Sequence, residues 1–225
     1  MRFFCTISTP VAAICLFAQT PPAPPADNSD AQASATRGMP ARATPGDYLA
    51  HGAAGPLSIG AEFMQHSVPT PGGLLSTEDY VVVEAGVFGP PGARATLNPA
   101  DFSLRINGKK TMQSEPYATV FKSLKDPEWE PDVPAEQKAS KTSIGSSGLG
   151  KGGAGNDPPV VPKPPFKLQR EWNLRLQKAS FPEGDRALPQ AGLLYFKYGG
   201  KASGIHSIEL MYAGPSGKAT QELQP

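Results

Sequence analysis

Two stretches of biased composition decide how much of this chain can fold. Residues 19–46 are rich in Pro, Ala, Ser and Asp and almost lack large apolar side chains. Residues 126–165 begin with prolines and carboxylates, pass through a Gly-Ser run from Gly145 to Gly155, and end in the proline-rich Val160–Pro165. Neither composition buries enough apolar surface to offset the entropy of ordering the backbone. Of 225 residues, with 26 Pro and 24 Gly, roughly 130 remain for a core, an ordinary single-domain size. The prolines and glycines are clustered, so the expected disorder is local: a tether over 19–46 and a long low-complexity insertion over 126–165.

The amino terminus has the pattern of an export signal. Arg2 supplies a positive charge, Phe3 to Phe17 is mostly apolar but broken by Thr6, Ser8, Thr9 and Pro10, and small Ala18 suits the cleavage position. The run is too short and too interrupted for a good membrane span, which needs about 20 residues. The expectation is a signal peptide over 1–18, a mature protein in the periplasm or secreted, and no stable span after cleavage. An uncleaved membrane anchor is the alternative. A lipoprotein route through Cys15 is disfavoured by bulky Ile14 before it. Both cysteines, Cys5 and Cys15, lie in this segment, so the mature chain would lack a disulfide framework, a Cys-ligated zinc site and a cysteine nucleophile. The formal net charge of +1 gives no electrostatic case for nucleic acid or an anionic membrane surface.

An internal loop as long as 126–165 either separates two domains or interrupts one. The flanks predict an interruption. Leu57, Ile59, Ala61 and Phe63 alternate with Ser58, Gly60 and Glu62, as in a half-buried strand. Tyr80 to Phe88 is a nearly continuous apolar, β-branched run that suits the centre of a sheet. Phe102, Leu104 and Ile106 alternate with polar neighbours, and Asn107-Gly108 follows as the strongest hairpin signal in the chain, since both tolerate the positive φ of a type I′ turn. Tyr117 to Leu124 suggests a further strand. Downstream, Leu193–Tyr198, Ile205–Tyr212 and Lys218–Leu223, separated by Gly199-Gly200 and Gly214–Gly217, read as a meander. Neither half has enough strands to close a sandwich; together they supply about seven or eight.

Phe166 to Gln177 alternates apolar and polar residues with Arg170 as the exception, a strand pattern. However, Leu168, Trp172, Leu176 and Ala179 also share one helical face, Glu171 precedes Arg175 by four, and Pro164-Pro165 suits a helix start. These features predict a helix.

The run Tyr80–Glu84, the stretch Leu97–Leu104 with its Leu-Asn-Pro-Ala-Asp-Phe corner, Leu188-Pro189 leading into Leu193–Phe196, and Ile208–Leu210 resemble an immunoglobulin-like, telokin-like β-sandwich of exported bacterial proteins that have no assigned activity. The resemblance spans about half of the mature chain and implies the fold: mainly β, a single antiparallel sandwich over 47–225 with one helix and the 126–165 insertion. It supplies no catalytic residue.

Several motifs invite chemistry and do not carry it. Gly145, Gly150 and Lys151 have phosphate-loop spacing, but Gly152 stands where Ser or Thr would ligate magnesium, with no strand before or helix after. His51, His66 and His206 are scattered and form no zinc-ligand pair. A Gly-x-Ser-x-Gly elbow for a serine nucleophile is missing. Asp126, Glu128 and Glu130 alternate around Trp129, between Pro127 and Pro131; calcium needs six or more oxygens in a defined loop, so a solvated linker or a partner-docking peptide anchored by Trp129 fits better.

The sequence therefore predicts no catalytic, cofactor or metal site, and a non-enzymatic extracytoplasmic interaction or accessory module whose partner is an envelope or extracellular protein. Asp126, Glu128, Trp129 and Glu130 are the candidate partner-binding residues. The alternatives are an extracytoplasmic hydrolase or carbohydrate-active enzyme whose site assembles only in three dimensions, and a structural envelope component.

Overall fold

The computed structural model describes residues 37–129 and 163–225. The expected signal peptide, most of the expected tether, the Gly145–Gly152 motif and Glu130 lie outside them. The described residues are mainly β. The strands are β1 (Ala50–Ala54), β2 (Leu57–Phe63), β3 (Ser67–Thr70), β4 (Gly73–Thr77), β5 (Tyr80–Phe88), β6 (Arg94–Leu97), β7 (Phe102–Ile106), β8 (Met112–Gln113), β9 (Leu124–Lys125), β10 (Gly184–Ala187), β11 (Gln190–Lys197), β12 (Ile208–Gly214) and β13 (Gly217–Leu223). The helices are α1 (Tyr117–Val120) and α2 (Phe166–Ala179).

Strands β1-β2-β5-β11 form one four-stranded antiparallel sheet and β13-β12-β7-β8 another, with a β3-β4-β9 sheet and a β10-β6 ribbon beside them. Pairs β5–β11, β7–β12 and β6–β10 join strands from before and after residues 130–162. The two flanks therefore build the same sheets.

The continuous apolar run of β5 has a direct cause: all nine of its residues are buried, because the strand serves two cores. Its odd residues Val81, Val83, Ala85 and Val87 meet Ile59, Leu194 and Phe196 of their own sheet and Phe102, Leu104, Ile208 and Leu210 of the facing sheet. Its even residues Tyr80 and Val82, with Leu193 and Tyr195 of β11, face a second core made by Trp172, Leu176 and Ala179 of α2 and by Val68 and Leu75 of the small sheet. Each such fully buried aliphatic or aromatic side chain contributes about 1.5–3 kcal/mol relative to exposure. The layer order is sheet, sheet, helix. Gln221 of β13 ties the first two layers by donating to the carbonyl of Ile59 at 2.9 Å.

The Asn107-Gly108 turn forms as its sequence predicts, with φ of 51° and 65° and Lys109 N–H donating to the Ile106 carbonyl at 3.0 Å. Asn107 does more than turn the chain. Its Oδ1 accepts from the backbone N–H groups of His206 (2.7 Å) and Ser207 (3.1 Å), and its Nδ2 donates to the Gly204 carbonyl at 2.8 Å.

Three expectations are corrected. The late strands are not a meander: β11 pairs with β5, while β12 and β13 lie in the other sheet. Gly199-Gly200 and the short turn Ala202–Gly204 carry the chain between sheets, since β11, buried on both faces, needs the equally buried β5 beside it. Tyr117–Leu124 is not one strand but α1, a 3-10 turn over Phe121–Ser123 and the short β9; Val120 at the end of α1 and Leu124 at the start of β9 both reach the second core. The tether does not extend to 46, because residues from Arg37 onward pack on the first sheet. Met39 N–H donates to the Ala191 carbonyl at 2.8 Å, and Arg42 bridges Glu62 (2.7 Å) and Glu84 (3.1 Å).

Candidate functional site

Phe166–Ala179 is a helix, as the face pattern and the Glu171–Arg175 pair predict; the structure holds that ion pair four residues apart. Trp172, Leu176 and Ala179 are buried, with Leu168 half-buried beside them. The other apolar residues of the segment have nowhere inside to go. Phe166 is 81% exposed and Leu174 49% exposed. They stand eight residues apart with Arg170 midway, on a second stripe of the same helix. The surplus explains the strand-like alternation: it counts two residues that α2 leaves outside.

This stripe meets the turn that follows α1 and forms two adjoining grooves. One, of about 230 Å³, is lined by Phe121, Phe166, Gln169, Arg170, Asn173 and Leu174. The next, of about 310 Å³, shares Phe121 and Gln169 and adds Lys122, Leu124, Lys163, Pro164 and Trp172. The walls are fixed locally. Ser123 Oγ donates to the Val120 carbonyl at 3.0 Å and lies 2.7 Å from Thr77 Oγ1 of β4, which pins the Phe121–Ser123 turn. Gln169 Nε2 donates to the Pro164 carbonyl at 2.6 Å, bracing the helix start.

The residues singled out from the sequence are arranged differently from an exposed acidic peptide. Asp126 to Trp129 is a turn: Trp129 N–H donates to the Asp126 carbonyl at 3.2 Å, and Asp126 Oδ1 accepts from Glu128 N–H at 2.9 Å. Asp at the first position and Pro127 at the second are the residues such a turn favours. The turn sets the Trp129 ring edge-on to Trp172, with centroids 6.2 Å apart. Trp129 therefore helps close the second core, Glu128 is exposed, and Glu130 lies outside the described residues. Sequence reasoning missed Phe121, Lys122, Lys163, Phe166, Arg170 and Leu174. The available signal was the apolar surplus of α2.

Other polar groups have structural work. His66 sets Nδ1 2.7 Å from the Tyr80 carbonyl and Nε2 3.1 Å from the Gly200 carbonyl, bracing the loop between β11 and β12. His51 and His206 are exposed. Arg42 works against its own partial burial, yet its pKa is held up by the hydrogen bonds and charges of Glu84 and then Glu62, and its guanidinium lies 4.4 Å over the Tyr48 ring. Tyr195 is pushed well above the usual phenol range by complete burial, its hydroxyl 3.1 Å from Ser180 Oγ. Among the described residues no group of three or more His, Cys, Asp or Glu side chains is placed to hold a metal ion, and no helix is long and apolar enough to cross a membrane. Among the described residues, the α2 grooves are the cavities lined by strongly exposed large apolar side chains, Phe166 and Leu174. No family model matches the chain, and no curated protein or solved structure matches it.

Proposed function

We propose that this protein is a non-enzymatic, extracytoplasmic interaction module: an immunoglobulin-like sandwich that carries a helix layer and docks a partner protein on α2. The observation that carries the reading is the pair of adjoining grooves flanked by Phe166 and Leu174, large apolar side chains left at the surface of a helix whose core stripe is already complete. Exposed apolar grooves with polar rims are where protein segments dock. The support for location outside the cytoplasm is the Arg2–Ala18 sequence pattern.

A photo-reactive residue at Leu174, compared with one at Thr220 on the exposed side of β13, tests this in the native cell envelope. The expected result is a discrete protein adduct from position 174 that disappears when Phe166 is also changed to Asp. Equal labelling from both positions, or none from 174, would remove the docking role.

A further inference from the structure

We propose that the α2 groove takes an acidic segment of its partner that carries an aliphatic or aromatic anchor, an inference that rests on the docking reading above. Among the described residues, the lining of the two grooves includes three cations, Lys122, Lys163 and Arg170, and no carboxylate. Lys167 is exposed on the same first turn of α2. Among the described residues none of these four cations enters an ion pair, whereas the one acidic residue of α2, Glu171, is taken by Arg175. For a chain of net charge +1, four unpaired cations beside one groove are a local concentration of positive charge.

The start of α2 adds to it. Pro165 is the N-cap, with no side-chain hydrogen bond to the first-turn N–H groups, and the first turn contains no acidic residue. The positive end of the helix dipole is thus left without the carboxylate that usually complements it. A partner Asp or Glu laid along the groove meets both the cations and this helix end. Between them, Phe121, Phe166 and Leu174 form the apolar surface that an anchor side chain would cover.

The shape favours a chain segment over a bilayer. The two grooves adjoin at Phe121 and Gln169, and together they form one wider concavity. An anionic membrane presents a flat surface, which cations beside a concavity meet poorly.

The test is selection of a random peptide library on the whole protein, followed by titration of the selected peptides. Trp129 and Trp172 are the only tryptophans in the chain, and Trp172 lines the groove, so intrinsic fluorescence reports binding there. The expected peptides carry Asp or Glu next to Leu, Ile, Phe or Trp. Their affinity falls at least about tenfold in a Lys122→Glu, Arg170→Glu variant, and it also falls with added salt, as exposed charge pairs require. If that variant melts early, Arg170→Gln with Lys122→Gln replaces it, and an affinity unchanged in this pair overturns the acidic chemistry. Neutral or basic peptides that still depend on Phe166 and Leu174 overturn the acidic chemistry and leave the docking reading standing. No selected peptides, or peptides indifferent to Phe166→Ser with Leu174→Ser, overturn both. Sedimentation with phosphatidylglycerol vesicles that is lost in the charge-reversed variant, with no peptide selected, would assign the surface to lipid instead.

Discussion

Gly60 of β2 and Gly86 of β5 are directly opposed across the strand pair, and together they leave the slot in the sheet that the ring of Tyr48 fills. A Cβ at Gly60 would stand 2.4 Å from Tyr48 Cδ2, and one at Gly86 would stand 2.5 Å from its hydroxyl oxygen. Both approaches are far inside van der Waals contact. Glycine is needed at these positions for close packing, since neither has a positive φ.

Gly86→Ala should therefore destabilise the fold by about 1–3 kcal/mol, the usual cost of overpacking. The same change in a Tyr48→Ala background should cost less, leaving only the approach to the Phe88 ring edge at 2.9 Å. Urea unfolding of the four-member cycle measures the coupling. A Gly86→Ala protein as stable as its parent would mean that Tyr48 does not rest on this strand.

The second prediction concerns the segment that the composition assigns to a tether. Glu62 and Glu84 are also cross-strand partners, and Arg42 separates two carboxylates that would otherwise face each other unscreened, with the Glu84 side chain only 9% exposed. Arg42→Leu should cost between the about 1 kcal/mol of an exposed pair and the about 3 kcal/mol of a broken buried one. Adding Glu84→Gln should recover part of that loss. A chain beginning at Asp47 should lose more, because it also gives up the Met39–Ala191 bridge. Equal midpoints for chains starting at Arg37 and at Asp47 would restore the tether boundary at 46.

These cases show where the sequence was legible. β7 was readable because fully buried and half-buried residues alternate along it, and β2 because its polar positions alternate in sequence even though Tyr48 and Arg42 cover that face. β5 was readable as central because it has two dry faces. The N-terminal strap was not, because Arg42 and Tyr48 act through partners distant in sequence, and a Pro/Ala-rich context hides two anchoring side chains. The strand β11 was legible, but its sheet was not: nothing local in Gly199-Gly200 distinguishes a hairpin from a crossing between sheets. At the candidate site, the helix was legible and its exposed stripe was not, because periodicity shows that residues are apolar and does not show which of two faces the fold will cover.

Asn107 permits a separation of turn geometry from hydrogen bonding. Asn107→Gly keeps the positive φ but removes the acceptor for His206 and Ser207 and the donor to Gly204. It should cost about 0.5–1.5 kcal/mol, the net worth of a typical hydrogen bond, since water reaches most of the freed groups. Asn107→Ala loses the same bonds and adds left-handed backbone strain at φ 51°, so it should be the worse of the two by about 1 kcal/mol. If alanine and glycine melt together, strain at this turn is unimportant.

Asp101 gives a pH-dependent prediction. Partial burial raises its carboxyl pKa above the usual value. Nearby Tyr212 is also raised, by burial first and then by the charge of Asp101. A carboxyl with its folded pKa raised binds more protons in the native state, so its contribution is favourable in acid and is lost as pH rises through the folded value. At neutral pH the ionised group is a net cost. Asp101→Asn should then melt at or above the parent midpoint at pH 7, and the advantage should vanish below about pH 3, where both folded and unfolded carboxyls are protonated. A lower midpoint at pH 7 would show that the charge helps the short 3-10 turn it sits in.

The last prediction separates the two faces of α2. Phe166 and Leu174 are exposed, so replacing both with Ser should change the unfolding free energy by no more than about 1 kcal/mol, about 0.5 kcal/mol for each surface position. Trp172 and Leu176 are buried against Leu193 and Tyr195 in the second core. Trp172→Ala should cost about 3–5 kcal/mol, and Leu176→Ala about 2–5 kcal/mol. The contrast decides what the apolar surplus is for. If the serine pair unfolds as easily as the tryptophan variant, then Phe166 and Leu174 stabilise the helix layer and α2 has no face to spare for a partner. If the serine pair is as stable as the parent and only loses peptide binding, the two residues are kept for an interaction, since folding alone makes no use of them.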